Sequence, residues 1–206
     1  MNPFHDILGE GTNQRLNIQV QPVLVSDWDA YAGGYRAAAE ALYEHLQHAI
    51  SISDASIFPF VFLWRHHLEL RLKALCFQAR DLYGDSSKSI NGHQLPQLLD
   101  LLSRDLERLH EHIGESFDCS QLSELKARVK AVHMRDPGSE IFRYPVNRGG
   151  GSQLPPVRIM NFQAVHRTMS ELANMLDGVA IAIDMIADWK RDMSGSYPEA
   201  HQSDSA

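Results

Sequence analysis

The segment from Ser56 to Tyr83 constrains this chain more than any other. It opens Ile57-Phe58-Pro59-Phe60-Val61-Phe62-Leu63-Trp64 and continues Arg65-His66-His67-Leu68-Glu69-Leu70-Arg71-Leu72-Lys73-Ala74-Leu75, and Gly84 closes it. Wound as a helix, it is apolar nearly all round at its start. A helix with no face left for water belongs at the centre of a bundle. Pro59 is tolerated because it falls in the first turn, where its missing N–H would have no partner anyway. The polar exceptions are ordered: Arg65, Glu69 and Lys73 are spaced i, i+4, i+8 and share one face. Such a stripe, with His66 and His67 beside it, reads in two ways. It lines a polar cleft, or it is an ion-pair ladder along a helix seam or facing water.

The remaining apolar periods predict the helices around this rod. Asp27 is a good N-cap for a helix over 28–50, with Tyr31, Tyr35, Ala38, Leu42, Leu46 and Ile50 on its apolar face. Gly33-Gly34 either weakens its first turns or allows a close helix crossing. Leu95, Leu98, Leu99, Leu102, Leu106 and Leu109 mark a helix over 95–112 that Gly114 ends. Asp118 or Ser120 caps a fourth helix reaching about Met134, with Leu122, Leu125, Val129 and Val132 inward, and Asp136-Pro137-Gly138 stops it. The last helix, 161–192, starts at Asn161 and carries Phe162, Val165, Met169, Leu172, Leu176, Val179, Ile183, Ile186 and Trp189. The fold expected is all-α: an up-and-down bundle of four to five long helices with an irregular 138–160 loop and an extended N-terminal arm. The division expected is an arm over 1–26, the bundle over 27–192 and a disordered tail over 193–206. A chain of 206 residues can bury roughly 70% of its unfolded surface, so the core needs no staples.

Charge and motifs narrow the function classes. The net charge of −7 gives no global basic field to gather nucleic acid, so such a contact would need a local patch, in one chain or across a dimer. Cys76 and Cys119 form neither a disulfide framework nor a zinc cluster. The first residues lack a signal-peptide pattern and no apolar run reaches about 18 residues, so the expectation is a cytoplasmic protein that does not span a membrane. There is no P-loop, G-x-G-x-x-G, H-E-x-x-H or G-x-S-x-G. A di-iron bundle needs Glu-x-x-His on two helices, and only Glu107–His110 has that spacing. No metal and no cofactor is therefore expected. Two further features carry chemistry. In Gly92-His93-Gln94-Leu95 the histidine sits at a helix start, where it either points into a site or pins a turn. In Phe142-Arg143-Tyr144-Pro145 an arginine beside aromatics suits an anion or phosphate, or else buttresses its loop by pairing with Glu69 or Glu140.

The helix Trp64-Arg65-His66-His67-Leu68-Glu69-Leu70-Arg71-Leu72-Lys73-Ala74-Leu75 resembles the Glu-x-x-x-Lys helix of HEPN-superfamily proteins. Gly92-His93-Gln94-Leu95-Pro96-Gln97-Leu98-Leu99 is similar to their Gly-His-x-Leu helix start, and Phe142-Arg143-Tyr144-Pro145 to a loop of a prokaryotic subset. The resemblance covers about residues 28–190. It implies an all-α homodimer acting on or binding RNA (tRNA or mRNA). Its active relatives are metal-independent ribonuclease effectors of toxin or phage-defence type, with an antitoxin or defence partner. Catalysis in such proteins uses Arg-x4–6-His, and two stretches match: Arg104 to His110 and Arg128 to His133. The resemblance then gives Arg65, Glu69, Lys73, His93, Arg143 and Tyr144 binding roles around the cleft. A catalytically inactive binding or dimerisation module of the same fold is the alternative.

Overall fold

A computed structural model describes residues 27–49, 54–85, 89–114, 120–137, 140–146, 149–152 and 159–195. It contains the helices α1 (Trp28–Gln47), α2 (Ile57–Tyr83), α3 (Leu95–Ile113), α4 (Ser120–His133) and α5 (Phe162–Gly195), with a one-turn 3-10 helix at Asp54–Ser56 leading into α2. No strand occurs among the described residues; an isolated bridge joins Val146 to Ser152. The all-α bundle expected from the periodicity is what the chain forms. The 1–26 arm and residues 196–206 lie outside the described residues, and α5 runs three residues past the expected end at 192.

The caps explain where the helices start and stop. Asp27 Oδ1 accepts from the N–H groups of Asp29 and Ala30, satisfying two donors that α1 cannot pair internally. Asn161 Oδ1 does the same for Ala164 N at the head of α5. Gly84, at φ +82°, ends α2 in the left-handed region, its N–H turned back to the carbonyls of Arg80 and Asp81.

Helix α2 is the rod the others pack on, touching α1, α3 and α5, while α4 is held by α3 and α5. Phe60, Trp64, Leu68, Leu72 and Leu75 of α2 are fully buried, and the α3 leucines at 95, 98, 99, 102, 106 and 109 meet them. Each such side chain contributes on the order of 1.5–3 kcal/mol on burial.

The apolar face of α1 matches the one its sequence suggests only in part. Leu46 is buried and Leu42 packs against the core as expected, but Tyr31 and Ala38 are exposed, and Ala32 and Ala39 are buried in their place. The reason is close helix approach: His67 of α2 donates its Nδ1–H to the Ala32 carbonyl at 2.9 Å, a contact that larger side chains on that face would obstruct. Tyr35 turns its ring edge-on to His66, 4.4 Å between centroids. Gly33 and Gly34 face open space, so they loosen α1 rather than admit a neighbour. Trp189, expected on the core side of α5, is 41% exposed.

Candidate functional site

The charged stripe of α2 converges on Glu69, a carboxylate only 4% exposed. Lys73 Nζ donates to Glu69 Oε1 at 2.9 Å, one helical turn on. Arg65 Nη1 lies 3.7 Å from Glu69 Oε2, one turn back, and Arg65 Nη2 donates to the His93 carbonyl at 3.0 Å. His93 Nδ1 is 2.7 Å from Glu69 Oε1. Burial pushes the Glu69 carboxyl up, but the hydrogen bonds from Lys73 and His93 and their charges outweigh it and hold the carboxyl below its ordinary range. Glu69 is therefore ionised and can only accept, so Nδ1 of His93 carries the proton. In the neutral ring Nε2 then has a free lone pair. The His93 side chain is 73% exposed, against 5% for Glu69. A buried acid thus orients an exposed imidazole.

Local backbone puts His93 there. Gly92 adopts φ +103°, which side chains with a Cβ rarely take, and the turn aims the next residue back at α2 while Leu95 starts α3 in the core. Ile90, buried at 9% exposure, pins the near end of this connection.

A small cleft opens beside Glu69, lined by Phe62, Arg65, His66, Glu69, Asp136, Phe142 and Arg143, with a cavity volume of about 20 Å³. Its far wall is the segment after α4. Asp136 is buried and its Oδ1 accepts from the N–H groups of Glu140 and Ile141, which folds the chain into a turn. Phe142 packs inward toward Phe58, with 6.5 Å between rings. Arg143 therefore faces the cleft, its guanidinium over the rings of Phe62 at 6.0 Å and Tyr144 at 5.7 Å. Tyr144 is 54% exposed on the rim.

The cleft's ionic side chains are of both signs, Arg65 and Arg143 against Glu69 and Asp136. Burial lowers the pKa of Arg65, opposed by the charges of Asp136 and Glu69 and reinforced by Arg143. It remains a cation at neutral pH. Burial also lowers the pKa of His66, with Glu69 opposing and Lys73, Arg143 and Arg65 adding to the lowering, so this ring stays neutral. Phe62 stacks on it at 5.5 Å. Lys73 is sealed on the other side by the Trp28 ring, 5.5 Å from its Nζ, and so braces Glu69 rather than facing solvent.

Of the residues singled out from the sequence, Arg65, Glu69, Lys73, His93, Arg143 and Tyr144 come together at this one place. The arginine–histidine pairs do not line the cleft. Arg128 is held on α4 by Glu124 and by Glu171 of α5, at 2.7 and 2.6 Å. His133 is half-buried, with Nδ1 turned inward. Arg104 is exposed on α3, and His110 is half-buried. Among the described residues no hydrogen bond joins Arg104 to His110 or Arg128 to His133. The sequence does not single out Phe62, nor the place in the site of Asp136, which heads the stretch leading to Arg143. Phe62 could have been found, since it lies one turn before His66 and two before Glu69 on the same face of α2. Asp136 could not, because its closeness to Arg65 comes from the fold alone. Among the described residues no group of three His, Cys, Asp or Glu side chains could hold a metal ion.

No protein-family model, curated protein or solved structure matches this chain. No helix among the described residues is long and apolar enough to cross a membrane.

Proposed function

We propose that the chain is a HEPN-like, RNA-directed protein of the cytoplasm, and that the cleft over Glu69 is where it meets a phosphodiester. The observation that carries this is Glu69 itself: it holds the solvent-facing imidazole of His93 at 2.7 Å and lines a cleft that is also lined by the exposed Arg143. The reaction such an arrangement suits is metal-independent RNA cleavage. His93 Nε2 takes the proton from a 2′-hydroxyl, and the 2′ oxygen attacks the adjacent phosphorus. The bond to the 5′ oxygen breaks, and that oxygen leaves with a proton from water. The products are a 2′,3′-cyclic phosphate and a 5′-hydroxyl. Arg143 and Arg65 offset the charge that builds on the phosphorane, and Glu69 stabilises the imidazolium. The setting proposed is a toxin or phage-defence effector, held in check by an antitoxin or defence partner.

The test is incubation of total tRNA with the protein in EDTA, beside Arg143→Ala, Arg128→Ala and Arg104→Ala variants. This reading expects cleavage by wild type, a loss of at least about a hundredfold in Arg143→Ala and near-wild-type rates in the other two. Loss in Arg128→Ala or Arg104→Ala, with Arg143→Ala active, would move the chemistry to α4 or α3. No cleavage by any of them would leave the binding module.

One observation favours that second reading, a dimerisation module. Ile181, Met185, Trp189 and Met193 recur every fourth residue on α5, and all are 41% exposed or more. An apolar stripe of this kind on an outer face suits a second copy of the chain. Antiparallel pairing centred near residue 187 sets Ile181 against Met193, Met185 against Trp189, and Asp184 against Lys190. Light scattering of Met185→Glu would show monomer where wild type is a dimer; equal masses would exclude this face.

A further inference from the structure

We propose that Tyr144 is a stacking platform for an unpaired nucleobase whose own phosphate meets Arg143. The inference rests on the RNA reading above and narrows it to single-stranded substrate. Tyr144 is 54% exposed, yet it does not sit on slack chain. Its N–H and that of Arg143 both donate to the Glu140 carbonyl, at 2.9 and 3.0 Å. Asp136 ties down the start of the same turn, Phe142 anchors it against Phe58, and the Val146–Ser152 bridge closes the chain beyond. A large aromatic ring held out to solvent by so many ties is pre-organised to receive a flat partner. Little freedom remains to be lost on binding.

The neighbour of this ring selects the partner. The Arg143 guanidinium lies 5.7 Å from the Tyr144 ring and also borders the cleft. One ligand that presents a flat π-system and an anion a few ångströms apart is a nucleotide. Bases in a duplex already stack on one another and cannot reach the ring, whereas unpaired bases can be splayed onto it without regard to sequence. The net charge of −7 argues in the same direction. It opposes a long track of phosphates and leaves a contact of one or two nucleotides, gripped by stacking as much as by charge. The same chemistry could come from an unpaired stretch of RNA or from a free mononucleotide.

The experiment is fluorescence anisotropy of a short labelled single-stranded RNA in EDTA at low salt. Wild type, Tyr144→Ala, Tyr144→Trp and Arg143→Ala are compared, with the same RNA as a duplex, adenosine monophosphate and inorganic phosphate as competitors. Tyr144→Ala is expected to weaken single-strand binding by about tenfold to a hundredfold, and Tyr144→Trp to keep it. The duplex should compete poorly. Effective competition by adenosine monophosphate but not by phosphate would support stacking and name the free nucleotide as the source. Wild-type binding that Tyr144→Ala leaves unchanged, with tRNA cleavage still present, would overturn this inference and spare the RNA reading. No binding by wild type would overturn both. Unchanged melting of Tyr144→Ala by circular dichroism establishes that the variant is folded.

Discussion

Helix α2 carries two buried ionic clusters three turns apart, and they are built to opposite ends. At Arg80 the cluster is sealed. Arg80 Nε donates to Asp105 Oδ2 at 2.8 Å, Tyr83 donates to Oδ1 at 3.0 Å, and Asp105 has no exposure at all. Cys76 lies against the same pair, its thiol pushed up to about 12, chiefly by burial and then by the Asp105 charge, so it is inert as a nucleophile. At Glu69 the acid is nearly as deeply placed, but one of its partners, His93, stands mostly in solvent and a cleft opens beside it. A buried acid whose partners are buried or half-buried serves the fold. A buried acid that holds a solvent-facing base can serve chemistry.

The comparison breaks most sharply at Asp105. Asp105→Ala takes the buried carboxylate away from the Arg80 guanidinium and should cost about 3–5 kcal/mol in urea unfolding, with activity per folded molecule unchanged. An unfolding cost under about 1 kcal/mol would mean that the sealed cluster is not structural.

Acid should act on the Glu69 end of the helix. Burial lowers the pKa of His66 and of His67, the latter also hydrogen-bonded to Ala32, so the unfolded chain takes up protons first and stability declines as pH falls below 6.5. Glu69 is held below its ordinary 4.5, so the stability it contributes is present above that value and is lost as pH drops towards its lowered folded value. Melting temperature should therefore fall in two legs on acidification. Glu69→Gln should flatten the lower one and leave the upper one in place. A melting temperature constant from pH 7 to 4 would contradict the assignment of these groups.

Gly92 sharpens the contrast from the backbone side. Gly92→Ala forces φ +103° on a residue with a Cβ and should cost about 1–2 kcal/mol, while lowering activity further than the stability loss explains, because His93 swings off Glu69. Equal activity per folded molecule would show that His93 needs no such aim. The smallest effect, and of opposite sign, belongs to Gly34→Ala. In an open stretch of α1 it should stabilise by about 0.5–1 kcal/mol in the same unfolding assay, without touching either cluster.

These clusters also show what a sequence exposes and what it hides. The leucines of α3 and the caps at Asp27, Asn161 and Gly84 could be read directly, because periodicity and capping are local. The Arg65–Glu69–Lys73 stripe was legible for the same reason. Its depth was not, since a charged stripe looks alike whether it faces water or a neighbour. Asp105 was invisible: it stands among Arg104, Glu107 and Arg108 on α3, and its partner is 25 residues upstream. The face of α1 misled because Tyr31 and Tyr35 look more apolar than Ala32 and Ala39. A close crossing selects the small residues, and that crossing is a property of the pair of helices.

The central claim is that His93, oriented by Glu69, does the chemistry and little of the folding. His93→Ala tests it when tRNA cleavage in EDTA and thermal melting are measured on the same preparation. The account predicts cleavage down by at least about a hundredfold with a melting shift of only a few degrees. Cleavage at the wild-type rate by a folded His93→Ala protein would contradict it.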